Sequence, residues 1–291
     1  MKNYRILPKD IIRREVDGQH HYFVGDRHYV SVTHILDVAG PKEFGLMNFL
    51  KQNTPDDIER IKSTTGDFGT ICHDGFEKLL YGVNLETKNY TDPQKKIFMQ
   101  FQDWFKTARP TQYLPEQVIV WDDGLNLMPE GTQSADQLIG NSDRFGGTLD
   151  FLGEITVENL LRVENCFSTK AAMAEFQAKY PDPQQKLLCL IDFKTTSGIY
   201  FSHKLQVGAY KLAAEQMFGR KVDVCAIARF GTKHKSGYEF KMFDGDWAAT
   251  TFQSVFNTFK QLNGGKLPEP PTIEVYPETI QLVDVDMREA E

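Results

Sequence analysis

Asp192 and Lys194 stand two residues apart at the end of an apolar run, Leu187 to Ile191. In a strand, residues i and i+2 share one face. The carboxylate and the ammonium therefore point the same way, with Phe193 on the opposite face. A second carboxylate, Asp150, follows Gly146-Gly147-Thr148-Leu149 on another strand-like run. Hard divalent cations prefer carboxylate and carbonyl oxygens. Asp150, Asp192 and the Phe193 carbonyl can supply three such oxygens. Phosphodiester hydrolysis needs a nucleophilic water, neutralised phosphoryl oxygens and help for the leaving oxygen. Mg²⁺, with Mn²⁺ as a substitute, supplies much of this. Lys194 can orient the water or stabilise charge at phosphorus. These residues are read as one metal-dependent phosphodiester-cleaving site.

Helical stretches carry further polar groups at matching spacing. His73 and Glu77 lie at i and i+4 on one face, as do Gln206 and Tyr210. Each piece has a plainer reading by itself. Asp192 and Lys194 can be a structural ion pair, Asp150 a turn residue, His73 a hydrogen-bonded helix histidine, and Gln206 with Tyr210 an ordinary helix face. Their joint order is what points to chemistry.

The surrounding patterns supply the elements that must position these groups. Residues 19–24 and 28–30 predict a hairpin around Gly25-Asp26-Arg27. Residues 42–64 predict helix, with Pro55 near the start of a second segment. Helices follow over 71–81 and 93–107, the latter with an apolar stripe of Ile97, Phe98, Phe101, Trp104 and Phe105 that reads as core. Strands are expected over 116–121, 147–155, 187–194, 222–230 and 237–243, and helices over 202–218 and 246–262. The polar stretch 122–145 predicts a long loop. Residues 157–185 read as an insertion containing a helix. The expected division is an N-terminal hairpin and helical segment (1–64), a catalytic α/β core (65–262) and an acidic, Pro-rich tail (263–291).

At 291 residues the chain can bury a large core. No apolar run is long enough for a transmembrane helix, and the start of the chain lacks a signal-peptide pattern. Membrane association is not expected, and a cytoplasmic location, in a bacterium or a phage-infected cell, is the default. Cys72, Cys166, Cys189 and Cys225 are scattered without a C-x-x-C pair, which argues against zinc or an iron–sulfur cluster. The net charge is −7, yet it is uneven. Residues 265–291 carry seven acidic and two basic residues, whereas residues 162–221 carry nine basic and five acidic ones. Positive charge thus gathers around the proposed site, which suits a local nucleic-acid groove.

In order along the chain, Gly69-Thr70-x-x-His73, Gly147-Thr148-Leu149-Asp150, Asp192-Phe193-Lys194-Thr195 and Gln206-x-x-x-Tyr210 resemble the motifs of the PD-(D/E)XK nuclease superfamily, in its RecB-like branch. The segment Tyr29 to Leu36 resembles the stretch preceding the core in phage and mitochondrial genome maintenance exonucleases. The resemblance implies a restriction-endonuclease-like core, a central mixed β-sheet flanked by helices, with an N-terminal β-hairpin and helical additions. It implies that His73, Asp150, Asp192 and the Phe193 carbonyl bind the metal and that Lys194 is the catalytic lysine. Gln206 and Tyr210 would contact DNA or brace the site. Glu77 has no clear place in the motif; its position one turn from His73 makes it a candidate either for a group behind the ligands or for a metal ligand. The 42-residue gap from Asp150 to Asp192 is longer than that pattern leads one to expect.

Single strands are held by basic grooves with stacking aromatics. Lys204 and Lys211, seven apart on one helix, are candidates, as is the cluster Arg229, Lys233, His234 and Lys235. No sequence-reading module is visible. The expectation is a DNA exonuclease acting on single-stranded or end-bearing DNA in replication, recombination or repair. A structure-dependent endonuclease and a non-cutting nucleic-acid binder are the alternatives. Nothing in the sequence points to a protein partner.

Overall fold

The structure is a computed structural model that describes residues 6–42, 51–124, 142–164, 166–232 and 237–272. Most of the predicted loop 122–145, the triplet Lys233-His234-Lys235 and the acidic tail beyond residue 272 lie outside the described residues. Eight strands form one mixed sheet: β1 (Ile12–Val16), β2 (Gln19–Val24), β3 (Arg27–Ser31), β4 (Thr111–Asp122), β5 (Arg144–Thr156), β6 (Lys186–Lys194), β7 (Val224–Phe230) and β8 (Tyr238–Phe243). Among the described residues the α-helices are α1 (Val32–Ala39), α2 (Pro55–Leu80), α3 (Asp92–Ala108), α4 (Val157–Arg162), α5 (Lys170–Lys179), α6 (Phe201–Phe218) and α7 (Gly245–Leu262).

Strand β5 organises the sheet. It pairs antiparallel with β4 along one edge; on the other edge it meets β3 in parallel at Phe145–Gly146 and β6 antiparallel from Phe151 onward. β6 and β7 run parallel, joined through α6, as a crossover connection requires. The N-terminal hairpin is thus part of the central sheet through the β3–β5 pair.

The sheet separates two apolar layers. Residues of α1, α6 and α7 pack on one face, including Leu205, Phe252 and Phe256. Residues of α2, α3 and α4 pack on the other, centred on Phe76, Phe101, Trp104 and Phe193. The predicted aromatic stripe of α3 is core, with Ile97, Phe98, Phe101 and Trp104 buried. Helix α2 starts earlier than the expected 71–81. It runs unbroken for 26 residues from a Thr54 cap whose hydroxyl accepts the Asp57 N–H. The expected boundary at residue 64 falls inside it. Glycines at 66 and 69 weaken the helical signal there, yet the helix runs through both. Gly75 faces Phe98 so closely that an added Cβ would lie 2.3 Å from the ring, which fixes where α2 and α3 cross.

Candidate metal centre

Three carboxylates lie at one level across three neighbouring strands. In the β4–β5 register, Pro115 pairs with Phe151 and Gln117 with Leu149, which puts Glu116 across from Asp150. In the β5–β6 register, Phe151 pairs with Ile191, and one further step puts Asp192 across from Asp150. Directly opposite residues project from the same face of a sheet. Glu116 reaches its position through a backbone φ of 46°, in the left-handed region, beyond the irregularity between Thr111 and Leu114.

Helix α2 brings His73 over this row. Its Nδ1 lies 3.2 Å from Asp150 Oδ1 and 3.9 Å from Glu116 Oε1. Ligand atoms of His73, Glu116 and Asp150 all lie within 4.8 Å of one another, a group that could hold a metal ion. The other Asp150 oxygen, Oδ2, accepts the Phe193 backbone N–H at 2.6 Å. Lys194 Nζ lies 2.9 Å from Asp192 Oδ1 and 2.7 Å from Oδ2. Lys194 is thus the ion-pair partner of both oxygens, and Oδ2 accepts no further hydrogen bond among the described residues.

The charges explain one another. Burial pushes the Glu116 carboxyl up to about 8, and the neighbouring Asp150 carboxylate adds to the effect. Burial likewise pushes Asp192 up to about 6 against the opposing pull of Lys194. Asp150 goes the other way. Burial disfavours its charge, but His73, Lys194 and the Phe193 N–H outweigh that and hold it below its ordinary value. Burial also works against the charge on His73 and on Lys194. The surrounding carboxylates prevail and keep both above their ordinary values.

His73, Glu116, Asp150 and Lys194 line a cleft of about 840 Å³, whereas Asp192 is buried and does not line it. From the sequence-predicted set, His73, Glu77, Asp150, Lys194, Gln206 and Tyr210 line it together. Gln206 Nε2 donates to the Tyr210 hydroxyl at 2.8 Å. An added Cβ on Gly147 would lie 2.3 Å from the Tyr210 ring, so two of the sequence motifs meet in a close contact. The Phe193 side chain points away into the aromatic layer, against Phe76, Phe101 and Trp104. Lys204 does not line the cleft.

Lys211 is a correction to the expected substrate-binding face. It is buried and paired with Glu215 at 2.9 Å and Asp246 at 2.7 Å, where it ties α6 to the start of α7. Heptad spacing places Lys204 and Lys211 on related positions of the helix, but it does not say which of them a neighbouring helix covers. Arg229, from the predicted basic cluster, is held by Glu239 and by the carbonyls of Thr196 and Ser197. Glu116 is the site residue the sequence reading missed. A carboxylate after Pro115 at the head of an apolar strand is its one trace. Arg13, His20, Tyr22 and Thr33 from the N-terminal segment also line the cleft.

No protein-family model matches this chain, and no curated protein matches it. Among solved structures it is similar to one from Eubacterium rectale described as a "putative exonuclease", with a TM-score of 0.40 and 10% sequence identity over 89% of this chain and 93% of that one. Among the described residues, no helix is long and apolar enough to cross a membrane.

Proposed function

We propose that the chain is a divalent-metal-dependent deoxyribonuclease that hydrolyses phosphodiester bonds, working from the ends of single-stranded or end-bearing DNA in replication, recombination or repair. The observation that carries this reading is the convergence of His73, Glu116 and Asp150 in one cleft that Lys194 also lines, with Asp192 buried across β5–β6 from Asp150 and paired with Lys194. The donors fit a hard cation. Two carboxylates, Glu116 and Asp150, converge with the His73 imidazole, and Asp192 adds a third, buried carboxylate beside Asp150. His73, Glu116, Asp150 and Asp192 would hold it, with the Phe193 carbonyl as a further oxygen. Mg²⁺ or Mn²⁺ bound there supplies an activated water and neutralises the phosphoryl oxygens.

The chain's own groups do the rest. Asp192 keeps Lys194 protonated and fixes its direction, so a cation faces the charge that develops on the phosphoryl oxygens. The Phe193 N–H and His73 hold Asp150 in one orientation. Gln206 and Tyr210 brace the wall on which the substrate lies. Glu77, on the His73 face of α2, would act as an outer ligand.

The test is incubation with end-labelled linear and circular single strands, with Mg²⁺ or with EDTA. The reading predicts loss of the linear strand in Mg²⁺ and an intact circle. Cutting of the circle would make the enzyme an endonuclease, and no cutting of either would leave a nucleic-acid binder.

A further inference from the structure

The wall of the cleft opposite α2 is built by the N-terminal hairpin. In the β1–β2 register, Arg13 pairs with Tyr22 and Glu15 with His20. With a period of two, Arg13, Glu15, His20 and Tyr22 therefore share one face of the hairpin. Three of them, Arg13, His20 and Tyr22, line the cleft. Gly146 makes this approach feasible, because an added Cβ there would lie 2.9 Å from the Tyr22 ring.

Two of these side chains, Arg13 and Tyr22, converge on Thr148. Arg13 Nη1 donates to Thr148 Oγ1 at 3.3 Å, and the Tyr22 hydroxyl lies 3.3 Å from the same oxygen. His20 Nδ1 is buried, lies 4.0 Å from Glu15, and has no hydrogen bond among the described residues. Elsewhere in the cleft, positive groups are matched by carboxylates: Lys194 by Asp192, and His73 by Asp150. Arg13 is the exception. It lines the cleft, is exposed, and forms no ion pair among the described residues.

Thr148 precedes Asp150 by two positions on β5 and shares its face. Two residues of strand span roughly 6–7 Å. That is about the separation of successive phosphates along an extended nucleic-acid strand. We propose that Arg13, with His20 beside it, forms a second phosphate site one nucleotide away from the bond cut at the metal centre. The ligand is a phosphate monoester or diester, and a guanidinium suits it because it can donate two parallel hydrogen bonds. The hairpin would then set the register of the strand, so that a defined phosphodiester reaches Asp150. This inference rests on the proposed nuclease function for its second phosphate, but the anion site itself can be tested by binding alone.

The first arm measures fluorescence anisotropy of a labelled single-stranded oligonucleotide in EDTA, with a terminal phosphate or a terminal hydroxyl, for wild type, Arg13→Gln and Arg13→Lys. The site predicts an affinity loss of about 10-fold or more for Arg13→Gln and a smaller loss for Arg13→Lys, because charge is retained. A loss confined to the phosphate-ended oligonucleotide would identify a terminal phosphate. An equal loss with both ends would identify a backbone phosphate. Unchanged affinity in Arg13→Gln would overturn the proposal.

The second arm compares cleavage of an oligonucleotide with hydrolysis of bis(p-nitrophenyl) phosphate, which has no neighbouring phosphate, in Mn²⁺. Arg13→Gln should lower kcat/KM about 10-fold or more on the oligonucleotide and leave the small diester within about twofold. An equal fall on both substrates would mean that Arg13 only supports the fold, and would also overturn the proposal. If wild type hydrolyses neither substrate, the nuclease reading fails, and the anisotropy arm still decides whether Arg13 binds phosphate.

Discussion

Glu116 and Asp150 face each other across the β4–β5 ladder, two carboxylates in a partly buried cleft with one imidazole between them. Like charges directly opposite in a sheet are destabilising. A left-handed backbone at a non-glycine residue, as at Glu116, adds roughly 1–2 kcal/mol. Such a pairing is at odds with stability in the metal-free protein and in accord with cation binding. Glu116→Gln should therefore stabilise the metal-free protein at pH 8, raising its melting temperature by about 2–4 °C for each kcal/mol gained. The same change should weaken Mn²⁺ binding, read by titration calorimetry, by about 10-fold or more. Unaltered Mn²⁺ affinity would remove Glu116 from the site.

Metal binding should depend on pH in a defined direction. The folded-state values of Glu116, near 8, and Asp192, near 6, lie above their ordinary ones. Between the ordinary and the raised values, the metal-free folded protein holds more protons than the unfolded chain. Its stability therefore falls as pH rises through that window. A cation must displace those protons, so its affinity rises over the same range. Asp150, held low, stays ionised throughout and contributes no such slope. Thermal melts at pH 5, 6, 7 and 8 should show a Mg²⁺-induced rise that grows with pH. A rise that shrinks with pH would contradict the site.

Gly147 is expected to be intolerant of a side chain. Its Cβ would meet the Tyr210 ring at 2.3 Å, and Tyr210 is buried and tied to Gln206. Gly147→Ala should cost about 1–3 kcal/mol, as overpacking typically does. It should also lower nuclease turnover, because the ring that moves lines the cleft. Denaturant melts and cleavage rates on the same preparation check both effects.

Lys211 should behave as a structural residue. Lys211→Ala removes the cation between Glu215 and Asp246 and should lower stability by about 1–3 kcal/mol. Well below the melting temperature, its cleavage rate should stay within about twofold of wild type. A loss of DNA binding at unchanged stability would return Lys211 to the substrate face.

Short-range periodicity made half of the candidate site legible. Asp192 and Lys194 share a face because a strand has period two, and Gln206 and Tyr210 do so because a helix has period 3.6. The α/β class followed from the same alternation of strands and helices, and the mixed sheet flanked by helices from the family resemblance. Glu116 was not legible, because its place depends on a register with β5 and a backbone kink that neighbouring residues do not encode. The hairpin's role was hidden for a similar reason. Its two strands are local, but the β3–β5 pair that brings Arg13 and Tyr22 to Thr148 joins residues more than a hundred positions apart. Lys211 was misplaced because a helical wheel shows which residues share a face, not which neighbouring helix covers it.

The central claim is best tested by the rate at which nucleotides are released from an end-labelled linear single strand in Mg²⁺, compared for wild type, Asp150→Asn and Lys194→Ala. Wild type should release them in Mg²⁺ and not in EDTA. Both variants should lose about 10²–10³-fold or more in rate while keeping the circular dichroism spectrum of the wild type. Release at the wild-type rate by either variant would contradict the account.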